Sequence, residues 1–502
     1  MMKRFGFCRG SMGQFAAAMG ILSGIAAAQA PPAPNTFLAT LIKLGNIAVT
    51  GTLRSRVYAW DWFQPTTGEN EYGYSGNLLR VNFFEKRKGW DWDAEFAVPF
   101  LLGLPDNATA PAPQGALGLG SNYYTANSNS RNSAMVFAKQ MFVRFKGLGS
   151  SEASTLQVGR FEFNDATELT PKNATLANLK ASRLSQRLIG TFGWSDVGRS
   201  FDGMRYSYSS KAKDDFTFVA AIPTRGVFQT DGWGWNRVGF GYGAYTHEWG
   251  KGKHAADSRL FVLDYDDWRH IVKTDARPLA VRRGDTENIH LQTFGGHTLH
   301  AFTTNAGTID ALGWTAIQTG RWGTQKHLAY SLDVEAGIQP KLLPKLKPWL
   351  RGGFTLGSGD GNATDNRHGT FFQVLPTPRP YARMPFFNMM NMEDRFGSLV
   401  LRPHAKITVS SEFHSLRLSN AKDLWYSGGG AFQPWTFGYA GRATSGKRSL
   451  ANLYDTNVEF RATRYATFTG YFGYAQGLAA MQQIYPAGKN GQFGYVEALI
   501  RF

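Results

Sequence analysis

Apolar and polar residues alternate along most of this chain. In Val49–Trp60, Leu53, Val57 and Ala59 share one face while Arg54, Arg56, Tyr58 and Trp60 share the other. Leu79, Val81 and Phe83 oppose Arg80 and Asn82, and in Trp90–Val98 the apolar set Trp90, Trp92, Ala94, Phe96 and Val98 alternates with Asp91, Asp93 and Glu95. A period of two puts successive side chains on opposite faces, which is the signature of a strand. The basic turn Lys86-Arg87-Lys88-Gly89 joins two such strands as a hairpin. The chain closes in the same way: Val496, Ala498 and Ile500 line one face of Gly491–Phe502, and Tyr495, Glu497, Leu499 and Arg501 line the other. One face free of charge, ending on a terminal aromatic residue, suits lipid outside and a polar lumen inside.

Further segments follow the rule: Ala134–Lys146, Thr155–Phe163, Phe201–Ser209, Phe216–Pro223, Trp235–Glu248, Ser258–Asp266, Glu287–Phe302, Thr308–Trp322 and Leu328–Ile338. Then come Pro348–Gly357, Phe396–Pro403, Lys406–Leu418, Leu453–Ala462 and Ala466–Tyr474, which with the closing strand make 18. Short and long connections alternate, the long ones being chiefly 100–133, 165–200, 267–286, 358–394 and 419–451. A compact soluble domain rarely tolerates so many long loops, whereas a barrel rim does. The expected fold is therefore all-β: an 18-stranded antiparallel transmembrane β-barrel over 46–502, with long extracellular loops, some folded into the lumen. An even strand number leaves both termini on the periplasmic side.

Composition fits. Aromatic residues make up 14%, charged residues only 18%, and there are 57 glycines. Beyond the N-terminus no apolar run approaches the ~20 residues of a membrane helix, so any crossing must be made by strands. Lys3, Arg4 and Arg9, then the apolar Phe15–Ala28, read as a signal peptide over 1–28, followed by a proline-bearing periplasmic tether over 29–45. The single Cys8 falls in the leader, which leaves no thiol chemistry to the rest. The net charge of +17 loses three positives with that leader, leaving +14. Such a field favours anionic partners. An exported protein rarely meets nucleic acid, so the expected partners are lipopolysaccharide and outer-membrane lipids outside and an anionic or polar glycan inside, around a monomer.

Candidate chemistry lies on the inner faces. Arg54, Arg56, Arg80, Arg160, Arg351, Arg402 and Arg461 fall opposite apolar faces, and acids including Glu162, Asp310, Asp333, Glu335, Glu459 and Glu497 share that side. Guanidinium groups bind carboxylates bidentately, and several weak sites in series let a polymer enter and keep moving. Lys139 and Arg144 fall on opposite faces by simple alternation. The loop His368–Asp394 is proline-rich yet apolar, so it is expected to pack inside the barrel and set Arg379 and Arg383 at the pore. Asp360, Asn362 and Asp365 suggest a calcium loop, although the sixth and twelfth places counted from Asp360 hold Asp365 and Phe371. No HExxH, Walker or GxSxG motif is present, and no cofactor is expected.

The His368–Asp394 stretch resembles the signature of the alginate-export family of outer-membrane barrels. Gly159-Arg160-Phe161-Glu162, Gly198-Arg199-Ser200-Phe201-Asp202-Gly203, Asp310 with Trp314 and Gln318, Gly357-Ser358-Gly359-Asp360 and Asp423-Leu424-Trp425-Tyr426 match in order. Phe161 departs from the Gln expected after Gly-Arg. The resemblance implies an 18-stranded barrel with an arginine-rich lumen conducting an anionic polysaccharide, and adds Arg199 to the expected lining. The terminal strand resembles the signal read by the barrel-assembly machinery. A membrane-embedded hydrolase, a general anion-selective porin and a soluble sugar-binding β protein remain as alternatives.

Overall fold

The structure, a computed structural model, describes residues 42–150, 153–210 and 214–502. The leader 1–28 and most of the tether lie outside the described residues; of the tether, Ile42–Leu44 forms a short strand folded back on Ile47–Val49.

The barrel strands are β1 (Ile47–Asp61), β2 (Glu71–Lys86), β3 (Trp90–Leu102), β4 (Phe137–Lys146), β5 (Ser154–Phe161), β6 (Phe201–Ser209), β7 (Asp214–Pro223), β8 (Val238–Trp249) and β9 (His254–Asp267). They continue as β10 (Ile289–Thr303), β11 (Gly307–Trp322), β12 (Gln325–Pro340), β13 (Trp349–Gly357), β14 (Met392–His404), β15 (Ile407–Leu418), β16 (Ser449–Arg461), β17 (Ala466–Gly477) and β18 (Gly491–Arg501). Each pairs antiparallel with the next, and β1 pairs with β18 from Thr52↔Arg501 to Asp61↔Gln492, closing an 18-stranded barrel without edges.

Alternation sets the two surfaces. Val57, Leu260, Val262, Phe294, Ile317, Leu328 and Val334 stand exposed on the outer wall, where lipid replaces water. Tyr206 is exposed on the same wall. Alternation fails at one place that matters. The β3–β4 register shifts at Glu95/Phe96, and this bulge turns Lys139 inward along with Arg144. Lys139 then bonds the carbonyls of Val197 and Arg199, and Arg144 bonds Asp91, so both lie on the lumen side.

The lumen is not an open tube. Loop 162–200 folds inward and meets loop 358–391, pairing Ile189 with Leu375. Phe371, Phe372, Leu375, Met384, Phe386 and Met390 of the second loop are all fully buried against inward-facing wall residues. These loops plug the extracellular part of the barrel, as the apolar character of His368–Asp394 predicts.

Candidate functional site

The plug is fastened to one wall by charge. The helix Ala174–Leu179 is capped by Asn173, whose side chain accepts from the Thr175 and Leu176 amides, and it widens into a π turn over Lys180–Leu184. Lys180 and Arg183 project from this segment, and Arg187 follows just beyond it, after Ser185 and Gln186 (φ +65°) have ended the helix. Lys180 Nζ lies 2.9 Å from Asp257 of β9, Arg183 Nη2 lies 2.8 Å from Glu335 of β12, and Arg187 Nη2 lies 2.7 Å from Asp333. All six side chains are buried, so each charge depends on its partner. Asp257 also bonds His297 at 2.7 Å. Alternation points out Asp333 and Glu335; the three cations carry no comparable signal, because the helix ends before Arg187.

The expected lining residues separate into three groups. Arg54, Arg56, Arg80, Glu162, Asp310, Arg351, Arg402 and Arg461 do stand on the lumen side. Arg80 is bonded to Glu95 and, at 2.8 Å, to Glu162. Arg351 bonds Asp310 and, at 2.7 Å, Glu335, both sealed beneath the plug. Arg54 and Arg56 reach the plug tip at Gly193–Asp196, and Arg56 also bonds Glu497.

Arg199 and Arg379 are structural. The buried Arg199 guanidinium donates to three carbonyls, Gly190 at 2.8 Å, Gly430 at 2.7 Å and Pro376 at 2.8 Å, tying three inward segments together. Burial without a carboxylate pulls its pKa down to about 9, so it keeps its charge at neutral pH. Arg379 is spent on carbonyls of its own loop, those of Met384 and Phe387.

Arg160 faces outward. It shares the face of the exposed Val158, and Asp202 that of the exposed Met204. The two form a bidentate pair at 2.7 Å on the outer wall near the extracellular rim, and Arg160 also holds the Gly232 and Trp233 carbonyls. The reason is the plug: at this level Phe161 and Phe201 point inward to meet apolar loops, so the polar face is the outer one. Gly159 (φ +127°) lets β4 approach closely; a Cβ there would lie 2.3 Å from the Met141 carbonyl. Glu162 still reaches the lumen because β5 has ended and the chain has turned inward.

At the candidate calcium loop the side chains cap successive turns. Asp360 accepts from the Asn362 amide, Asn362 from the Thr364 amide and Asp365 from the Arg367 amide, a run of side-chain-capped turns. Among the described residues, ligand spacing suited to a metal occurs instead at Asp264, Asp266 and His290, on the outer wall.

What remains open is the periplasmic part beside β14–β18 and β1–β2. Arg402, Arg461 and Arg501 point inward at the periplasmic ends of β14, β16 and β18. Arg461 bonds Glu459 at 3.1 Å and Arg501 bonds the Thr467 hydroxyl at 3.0 Å. Further in, Arg383 hangs from the plug, half-buried, 5.7 Å above the Tyr471 ring, facing Glu412, Asp455 and Tyr495. Among the described residues neither Arg383 nor Arg402 has an ion pair on its guanidinium.

Residues 116–476 match the family described as alginate export. The chain belongs to the alginate export family. Among solved structures, this family member resembles OccK9 (OpdG) of Pseudomonas aeruginosa at 8% identity, covering 91% of this chain and 98% of that one, with a TM-score of 0.58. OccAB2 of Acinetobacter baumannii gives 9% identity, the same coverages and a TM-score of 0.55. OccK2 (OpdF) of P. aeruginosa, solved in complex with glucuronate, gives 7%, the same coverages and 0.52. At these identities the likeness is one of fold. No curated protein sequence matches the chain. Family and fold together make this alginate export barrel a channel-type protein of the bacterial outer membrane.

Proposed function

We propose that the barrel conducts an anionic polysaccharide, of the alginate-like uronate type, between periplasm and exterior. The observation that carries this is the periplasmic mouth. Arg402, Arg461 and Arg501 converge there; among the described residues Arg402 has no ion pair, Arg461 is bonded to Glu459, and Arg383 stands deeper without an ion pair. The two guanidiniums that carry no ion pair among the described residues, Arg402 at the mouth and Arg383 deeper in, attract a polyanion and hand it inward. Arg54, Arg56 and Arg80 continue the basic face along β1 and β2. We further infer transport rather than catalysis: the dyads His297–Asp257 and His414–Asp394 are sealed from the lumen. A second reading, passage of small carboxylates, draws on the glucuronate complex of OccK2, which has the same fold.

The test is single-channel recording in planar bilayers. The expected wild type is anion-selective and is blocked by oligouronates, longer chains blocking at lower concentration. Arg402→Glu with Arg461→Glu should reverse the selectivity, and Arg383→Glu should weaken the block about tenfold or more, the worth of one charged contact. Cation-selective current in the wild type would sink the proposal. Block that does not depend on chain length would favour the small-carboxylate reading.

A further inference from the structure

We propose that the plug tip Gly193–Asp196 is an internal stand-in for an acidic sugar, occupying a carboxylate recess of the channel wall from which a uronate of the passing glycan displaces it. This rests on the reading of the protein as an anionic-glycan channel.

The recess is built by the wall together with Tyr123 of the inward helix Leu119–Ala126. Gly76 of β2 lies directly opposite Arg56 of β1. A Cβ at Gly76 would fall 2.2 Å from Asp196 Oδ2, so the carboxylate fits only because this position has no side chain. The Tyr58 hydroxyl donates to Asp196 Oδ2 at 3.0 Å, and the Asp196 amide donates to the Tyr123 hydroxyl at 2.7 Å. Asp196 is fully buried.

Around the carboxylate, the tip presents what a uronate ring would present. The carbonyls of Gly193, Trp194 and Ser195 take the Arg54 and Arg56 donors, as ring hydroxyls would. The Trp194 indole lies 5.3 Å from the Arg56 guanidinium and edge-on to Tyr495 at 6.5 Å, where a flat sugar ring would sit. Its Nε1 is buried without a partner among the described residues, so the fit on this side is incomplete.

The tip is also a weak occupant in the respect that matters most. Arg54 Nη2 is 3.7 Å and Arg56 Nη1 3.9 Å from Asp196 Oδ1, beyond hydrogen-bond reach. A free uronate can approach an arginine fork bidentately and exceed that attraction. The segment that must move is short. Its flanks are held independently, by the Ile189–Leu375 bridge on one side and by the three carbonyls around Arg199 on the other.

The test uses the full-length barrel in a Cys8→Ser background, recorded in planar bilayers with and without oligouronate. Gly76→Cys with Asp196→Cys places two thiols where a disulfide pins the tip to the wall. The oxidised form is expected to conduct least and to be insensitive to oligouronate, and reduction should restore both properties. Asp196→Asn, which adds no bond, should raise conductance and lower the half-blocking oligouronate concentration about tenfold, since the internal competitor is weakened. If wild type is blocked by oligouronate but both variants behave like it, the stand-in is wrong and the channel reading survives. If the lock alters conductance but no form responds to oligouronate, the glycan reading fails and the stand-in falls with it.

Discussion

Arg199, Arg160 and Arg383 carry the same side chain, and their surroundings give each a different task. Arg199 is a fastener. Three charge-assisted bonds to carbonyls, each contributing about 1.5–3 kcal/mol, converge on a buried group. Arg199→Ala should loosen the three segments by roughly 3 kcal/mol, read as about 100-fold faster amide exchange in 186–192 and 371–391. Lysine presents a single ammonium and cannot span the three carbonyls, so Arg199→Lys should rescue little. Unchanged exchange in Arg199→Ala would remove the fastener role. Arg160 shows why residue type and alternation cannot assign a lumen face alone. Alternation separates two faces; deciding which one looks inward needs to know what fills the barrel. Where the interior is water the charged face turns in, and where it is an apolar plug, as at Phe161 and Phe201, it turns out.

At the scale of elements, the strands and the long connections were legible because a period of two leaves its mark on every pair of residues. Loop 358–391 could also be placed inside, since an apolar stretch with four prolines can neither join the sheet nor face water. Loop 162–200 was harder to place. Its three cations meet acids more than 70 residues away, and the helix ends before Arg187, so no local spacing announces the set. The plug loops also carry a pH dependence. Burial pushes Asp423 up to about 6, against hydrogen bonds from Thr370, the Asp360 amide and Tyr426 that pull it down. Burial likewise raises Asp165 to about 6, opposed chiefly by Arg259. A carboxyl whose folded value lies above its ordinary 3.8 binds its proton more tightly in the folded state. Its contribution is therefore full below about pH 4 and falls as pH rises through 6. Urea release of the plug, followed by tryptophan fluorescence, should need more denaturant at pH 4.5 than at pH 7.5. Asp165→Asn with Asp423→Asn should flatten that difference; a plug that tightens with rising pH would contradict the assignment.

At the scale of the whole molecule, everything depends on the sheet meeting itself, and the last residue makes the final link. The Phe502 amide donates to the Gly51 carbonyl at 2.9 Å, and the Gly51 amide donates to the Phe502 carbonyl at 2.7 Å. The ring covers Gly51 so closely that a Cβ there would lie 2.3 Å from it. The terminal aromatic therefore has a task in the finished barrel besides any role as an assembly signal, and the two can be separated. Gly51→Val keeps Phe502 in the chain but evicts its ring from the seam, while deletion of Phe502 removes ring and bonds together. If the ring seals the seam, both variants, refolded into detergent without any assembly factor, should lose the compact, heat-modifiable gel form at a lower temperature than wild type. The deletion should be the more severe, because it also leaves the Gly51 amide and carbonyl unpaired at an apolar boundary, a cost of about 1–3 kcal/mol for each group. If both variants open at the wild-type temperature and only assembly in cells suffers, the terminal residue acts as a signal alone and the seam is held by β1–β18 pairing without it.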